Sequence, residues 1–161
     1  MNSDIVICNP VRSAIGSFGG TLKDVSSADL GAHAVAATLR RSGLDPARVD
    51  AVILGNVLQA GGRMNVARQA AVKGGLPVEV PALTVNRVCG SGAQAVVSAF
   101  AEVASGLARC VIAGGTENME RAPYLLPALR HGSRMGNAEA IDTILHDGLN
   151  DAFSGKHSGW H

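Results

Sequence analysis

The stretch Leu83-Thr84-Val85-Asn86-Arg87-Val88-Cys89-Gly90-Ser91-Gly92-Ala93-Gln94-Ala95-Val96-Val97-Ser98-Ala99-Phe100 decides the fold. A short apolar run stops at Cys89, Gly90-Ser91-Gly92 follows, and no charged residue occurs between Cys89 and Ala101. That order predicts a strand turning sharply into a helix that is apolar or small on all sides, the pattern of a helix buried on every face. Cys89 falls at the first turn, where unpaired backbone N–H groups and the positive end of the macrodipole favour thiolate over thiol. Cysteines in such settings have pKa values lowered from about 8.5 to roughly 3.5–7.5, which makes them nucleophiles at neutral pH. Gly90 and Gly92 remove side chains where a substrate must approach the sulfur. A free cysteine more often serves as a small packing hydrophobe. A packing cysteine, however, has no need of two glycines and a serine directly after it, and the Gly-x-Ser-x-Gly nucleophile elbow follows the same logic with oxygen.

Working outward, residues 108–113 read as the next strand, stopped at Gly114-Gly115. Upstream, residues 51–58 form an apolar run interrupted by Gly55 and Asn56, and glycine in a strand permits close backbone approach. Between these strands, Asn65 is placed to cap a helix running to Lys73 and ended by Gly74-Gly75. Further upstream, Ser26 with Asp29 resembles a capping box, and Leu30, Ala34, Ala37 and Thr38 recur at helical spacing until Gly43. Asp45-Pro46 suits a short second turn, and residues 4–8 read as a first buried strand closed by Asn9-Pro10. The order of strand, helix, strand, helix, strand, helix, strand predicts an α/β fold with an open, largely parallel sheet covered on both faces. Ligands of such sheets sit beyond the strand C-termini. Cys89 and the turn Gly114-Gly115-Thr116-Glu117-Asn118 both lie at such ends and are expected to share one site. After Asn118 periodicity is lost, residues 138–149 read as a helix, and residues 151–161 bring no closing element.

Composition narrows the function classes. The 161 residues carry a net charge of +1 with both signs evenly spread, which excludes a basic stripe for nucleic acid or a membrane surface. Aromatic residues make up 3 %, too few for a base-stacking platform. Three cysteines without a Cys-x-x-Cys pair make neither a disulfide framework nor a zinc site, and Cys8 and Cys110 are expected in the core. No run approaches the roughly 20 apolar residues of a membrane helix. The start Met1-Asn2-Ser3-Asp4 has no basic, leader-like segment, and the expected compartment is a reducing cytoplasm.

Taken in order, Val11-Arg12-Ser13, Ile15-Gly16-Ser17-Phe18, Val52-Ile53-Leu54-Gly55-Asn56-Val57, Asn65-Val66-Ala67-Arg68-Gln69-Ala70, Asn86-Arg87-Val88-Cys89-Gly90-Ser91-Gly92, Ala113-Gly114-Gly115-Thr116-Glu117-Asn118-Met119, and finally Asp142-Thr143 and Asp147-Gly148-Leu149 resemble the N-terminal part of the thiolase family, the acetyl-CoA acetyltransferases and 3-ketoacyl-CoA thiolases. The resemblance implies the N-terminal half of a five-layered αβαβα sandwich with a mostly parallel mixed sheet. It assigns residues 1–118 to the half-sandwich carrying the nucleophile elbow and residues 119–161 to the start of an inserted loop domain, with its remainder expected beyond His161. It makes Cys89 the nucleophile that takes an acyl group from an acyl-CoA as a thioester, and the Cys89 backbone N–H one oxyanion donor. His157, in Lys156-His157-Ser158-Gly159, falls where the family has a histidine lining the pantetheine and acyl pocket.

CoA thioesters are then substrates, no bound cofactor or metal is expected, and a dimer or tetramer of identical chains is. Ser158 stands where many short-chain members have methionine, and Trp160-His161 where threonines are usual, so acyl-chain length stays open. The family's Gly-His-Pro and Cys-x-Gly segments, which supply the activating histidine and the second cysteine, do not occur here, so full turnover by these residues alone is not expected. Two alternatives remain. One is a related condensing enzyme of the ketoacyl-synthase kind; the other is a catalytically silent half that binds itself or a partner.

Overall fold

The computed structural model describes residues 4–160. Helix α1 (Ser27–Ser42) starts where Ser26 accepts from the Asp29 N–H at 3.1 Å and stops where Gly43 takes a left-handed φ of 65°. The cap fills one orphan donor, and glycine adopts that φ without the Cβ penalty. Strand β1 (Ala51–Gly55) follows a single 3-10 turn at Pro46–Arg48. Helix α2 (Val66–Lys73) is capped by Asn65, whose Oδ1 accepts from the Arg68 N–H at 3.0 Å. Strand β2 (Ala82–Val85) leads to helix α3 (Ser91–Ala104), and strand β3 (Val111–Gly115) closes the series.

The three strands form one parallel sheet in the order β2-β1-β3, with Gly55 level with Val85 on one side and Gly115 on the other. Every residue of β1 is buried, as a central strand covered on both faces requires. Its side chains alternate: Val52 and Leu54 join Val35 and Leu39 of α1 and Ala67, Ala70 and Ala71 of α2, while Ile53 meets Ala95 and Ala99 of α3. The result is a helix–sheet–helix half-fold consistent with the α/β expectation.

Four expectations are corrected. Residues 4–8 form no strand: they find no neighbour to complete a ladder, and Ile7 stays 81 % exposed. Cys8 is consequently exposed and not a core residue, while Cys110 is half-buried at the margin of the main cluster, packed against it. Helix α3 is buried only at Ser91, Ala95 and Ala99; nothing among the described residues covers its other side, where Val97 and Phe100 are 56 % and 57 % exposed. Residues 138–149 do not form one helix. Strand β5 (Ile141–Asp142) pairs antiparallel with β4 (Tyr124–Leu125), and only Ile144–Leu149 coils, as one wide turn. Residues 119–160 otherwise consist of short 3-10 turns joined by irregular chain.

Candidate active site

Because the strands run parallel, their C-terminal ends converge on one edge. Asn56 extends the ladder there by donating to the Val85 carbonyl at 3.1 Å, and Thr116 donates to the Gly55 carbonyl at 3.0 Å. Helix α3 comes in directly over this edge. A Cβ on Gly55 would lie 2.6 Å from the Gly92 nitrogen, so only glycine allows the helix to sit where it does. The sequence reading of Gly55 as a point of close backbone approach therefore holds.

The connection from β2 to α3 is a compact elbow. Val88 has φ +49°, a genuine outlier for a β-branched residue. Ser91 clamps the turn from both sides: its Oγ donates to the Val88 carbonyl at 2.6 Å and accepts from the Arg87 N–H at 2.8 Å. The Val88 N–H donates to Asn86 Oδ1 at 2.9 Å. Gly90 is the N-cap and contributes no side-chain cap, so the start of α3 stays open toward whatever lies in front of it. Cys89 sits at this point and is exposed.

In front of the elbow lies a cavity of about 420 Å³, walled by Gly55, Asn56, Val88, Cys89, Gly92, Gly115, Thr116 and Glu117. Cys89 and the turn after β3 thus share one site, as their places at strand ends suggested. His157 is not brought there. It is exposed, outside the cavity lining, with its Nδ1 accepting from the Gly159 N–H at 3.0 Å, although Gly148 and Leu149 from the same part of the chain do reach the wall.

Two residues that the sequence reading placed near the site but gave no role organise this wall. Asn56 is 1 % exposed; its Nδ2 donates to the Thr116 carbonyl at 3.0 Å and to Glu117 Oε1 at 2.8 Å. Its Oδ1 is buried without a partner among the described residues. Glu117 Oε2 accepts from the Val57 and Leu58 N–H groups at 2.7 and 3.3 Å. Burial pushes the Glu117 carboxyl above the ordinary glutamate range, and the bonds from Val57, Leu58 and Asn56 work against that rise. A polar Asn56 ending an apolar run was a visible signal. Its partner sixty-one residues downstream was not.

Burial, and then the neighbouring Asp50 charge, raise the Cys110 thiol, which marks it as the less reactive kind of cysteine. Among the described residues no three His, Cys, Asp or Glu side chains gather to hold a metal ion, and no helix is long and apolar enough to cross a membrane. A second, more polar hollow of about 370 Å³ lies behind Asn56, flanked by Arg63, Lys73 and Arg121.

A parallel sheet with a glycine-bounded cysteine elbow at its C-terminal edge, one helix in front and two behind, defines an α/β protein with its site at the strand ends. Residues 5–161 match the family described as Thiolase, N-terminal domain. The chain is 48 % identical over 157 residues to the acetyl-CoA acetyltransferase of Cupriavidus necator, covering 98 % of this chain and 40 % of that protein. It is 49 % identical over 156 residues to the acetyl-CoA acetyltransferases of Pseudomonas aeruginosa and of Chromobacterium violaceum, again covering 97 % of this chain and 40 % of each relative. The chain belongs to the thiolase family and corresponds to its N-terminal part, spanning about 40 % of the length of these relatives.

Proposed function

We propose that this chain carries the acyl-accepting half of a thiolase-type acyltransferase, which moves an acetyl or longer acyl group between CoA thioesters. The observation that supports this most directly is the exposed Cys89, held on a strained elbow at the open start of α3 and facing the cavity at the strand ends. In the proposed step Cys89 Sγ gives up its proton and bonds to the acyl carbonyl carbon. The carbon–sulfur bond to CoA breaks, and CoA leaves as a thiol carrying a proton. Unpaired N–H groups at the start of α3, the Cys89 N–H among them on the family resemblance, are suited to the oxyanion that develops in between.

The resemblance alone retains His157 as a residue lining the pantetheine and acyl side. It also leads us to propose an oligomer of identical chains and no metal or bound cofactor; a reducing cytoplasm, which suits an exposed thiol, is proposed as the location. Completion of the cycle, forming or cleaving acetoacetyl-CoA or a 3-ketoacyl-CoA, is assigned to the family's second half rather than to these residues. Val97 and Phe100, bare on α3, favour a second reading in which this half serves first as an assembly surface.

Intact mass of the protein with and without acetyl-CoA, repeated for Cys89→Ala, tests the main reading. One acetyl group is expected on the native chain and none on the variant. An acetyl group that persists in Cys89→Ala, or none on either protein, overturns Cys89 as an acyl acceptor in this chain.

A further inference from the structure

We propose that Glu117 is a positioning residue for the Cys89 elbow, acting through Val57 and Asn86. The contacts form a continuous series. Glu117 Oε2 accepts from the Val57 N–H at 2.7 Å, the Val57 carbonyl accepts from Asn86 Nδ2 at 3.4 Å, and Asn86 Oδ1 accepts from the Val88 N–H at 2.9 Å. Val88, at φ +49°, is the residue directly before Cys89.

A β-branched residue persists in that conformation only where its surroundings over-determine it, and such outliers gather at functional sites. Ser91 supplies one side of the restraint by bonding the Val88 carbonyl; Asn86 supplies the other by bonding the Val88 N–H. Asn86 is itself exposed, so its amide plane needs a fixed point, and the Val57 carbonyl provides it. Val57 in turn follows the buried Asn56, and Glu117 holds both: one carboxylate receives Asn56 Nδ2 on Oε1 and the Val57 and Leu58 N–H groups on Oε2. Three donors converging from one loop suit a carboxylate, which presents two oxygens and about four lone-pair sites. The turn after β3 thereby sets the angle at which β2 hands the chain to α3. Glu117 needs no contact with the sulfur to do so.

This rests on reading Cys89 as the reactive group, but its test needs no acyl-CoA. The native chain is treated with iodoacetamide and the alkylation rates of Cys8, Cys89 and Cys110 are followed separately by peptide mass mapping. Glu117→Ala and Asn86→Ala are each expected to slow Cys89 by about threefold, as the loosened elbow no longer holds the sulfur in its exposed position. Cys8 and Cys110 should keep their rates. The double variant should be no slower than the slower single one, because the two residues act in series. Glu117→Gln, which keeps an acceptor for the Val57 N–H, should restore most of the rate.

Unchanged Cys89 rates overturn the proposal, and so do losses that add in the double variant. If Glu117→Ala loosens the whole fold, the half-buried Cys110 accelerates with it, and exposed Asn86→Ala then decides alone. Failure of acetyl transfer with these alkylation results intact would count against Cys89 as acyl acceptor, not against the series.

Discussion

On one face of the sheet α1 and α2 pack Val35, Leu39, Ala67, Ala70 and Ala71 against Val52 and Leu54. On the other, α3 offers only Ala95 and Ala99 to Ile53 and leaves Val97 and Phe100 in the open. The first two helices are amphipathic and have their apolar sides satisfied within the chain. Helix α3 is apolar on sides that meet nothing among the described residues. A helix written for burial all round but covered along one stripe supports its site from one side only. The difference teaches that the elbow's geometry depends on short polar restraints, those of Ser91, Asn86 and Glu117, more than on apolar packing around α3.

That contrast can be broken most forcefully from its dense side. Leu54→Ala, in the cluster under α1 and α2, should cost about 2–5 kcal/mol in urea unfolding. A cost under about 1 kcal/mol would mean that face is packed no better than the other. Gly55→Ala should come next, at about 1–3 kcal/mol, because the new Cβ is driven into the Ser91 and Gly92 backbone; it should also depress Cys89 alkylation, which Leu54→Ala should not. Asn65→Ala removes the cap of α2 and should lower stability by about 1 kcal/mol. Phe100→Ser should change monomer stability by no more than about 0.5 kcal/mol while reducing self-association in sedimentation runs. A large loss of stability there would show that α3's outer side is packed after all.

Smallest, and opposite in sign between the α1–α2 seam and the strand-end loop, are the pH effects. Asp29, between α1 and α2, is held below the ordinary aspartate range by the hydrogen bond from Lys73 at 2.6 Å and then by Ser26. Its stabilisation is present above the ordinary aspartate range and is lost as pH falls from there through the lowered value, so Asp29→Asn should flatten the acid limb of stability. Both partners are about half exposed, and the effect is small. Glu117 binds its proton more tightly when folded than when unfolded. Its contribution is therefore fully present below the ordinary glutamate range and declines as pH rises toward the raised value. Urea midpoints between pH 3 and pH 7 should show the native chain losing ground to Glu117→Gln as pH rises. A parallel pair of curves would show that Glu117 is no harder to ionise in the folded chain.

Much of the half-fold was legible without coordinates because it is written locally. Ser26 and Asn65 find their N–H partners three residues on, Gly43 ends α1 with its own left-handed φ, and the parallel order follows from alternating strands and helices. The elbow at Cys89 belongs to the same class, since Asn86, Ser91 and Val88 bond within a few residues of each other. The errors are non-local. Residues 4–8 have a strand's composition but find no ladder among the described residues, and α3, apolar around its circumference, is met along one stripe only by the part of the fold present here. Separate from these is His157, whose position comes from the family resemblance and whose surroundings depend on how residues 119–160 lie over the sheet edge.

The departure of Trp160 from the family pattern involves a residue 81 % exposed, and His161, read with it, lies outside the described residues. By itself the sequence determined the caps, the elbow, the place of Cys89 on it and the parallel α/β class. These rest on hydrogen bonds and periodicities a few residues long. Only the tertiary structure decided that Glu117 reaches back across some sixty residues to Asn56 and Val57, and which side of α3 is covered. Such contacts are chosen by the mutual fit of distant surfaces, and no local pattern carries that information.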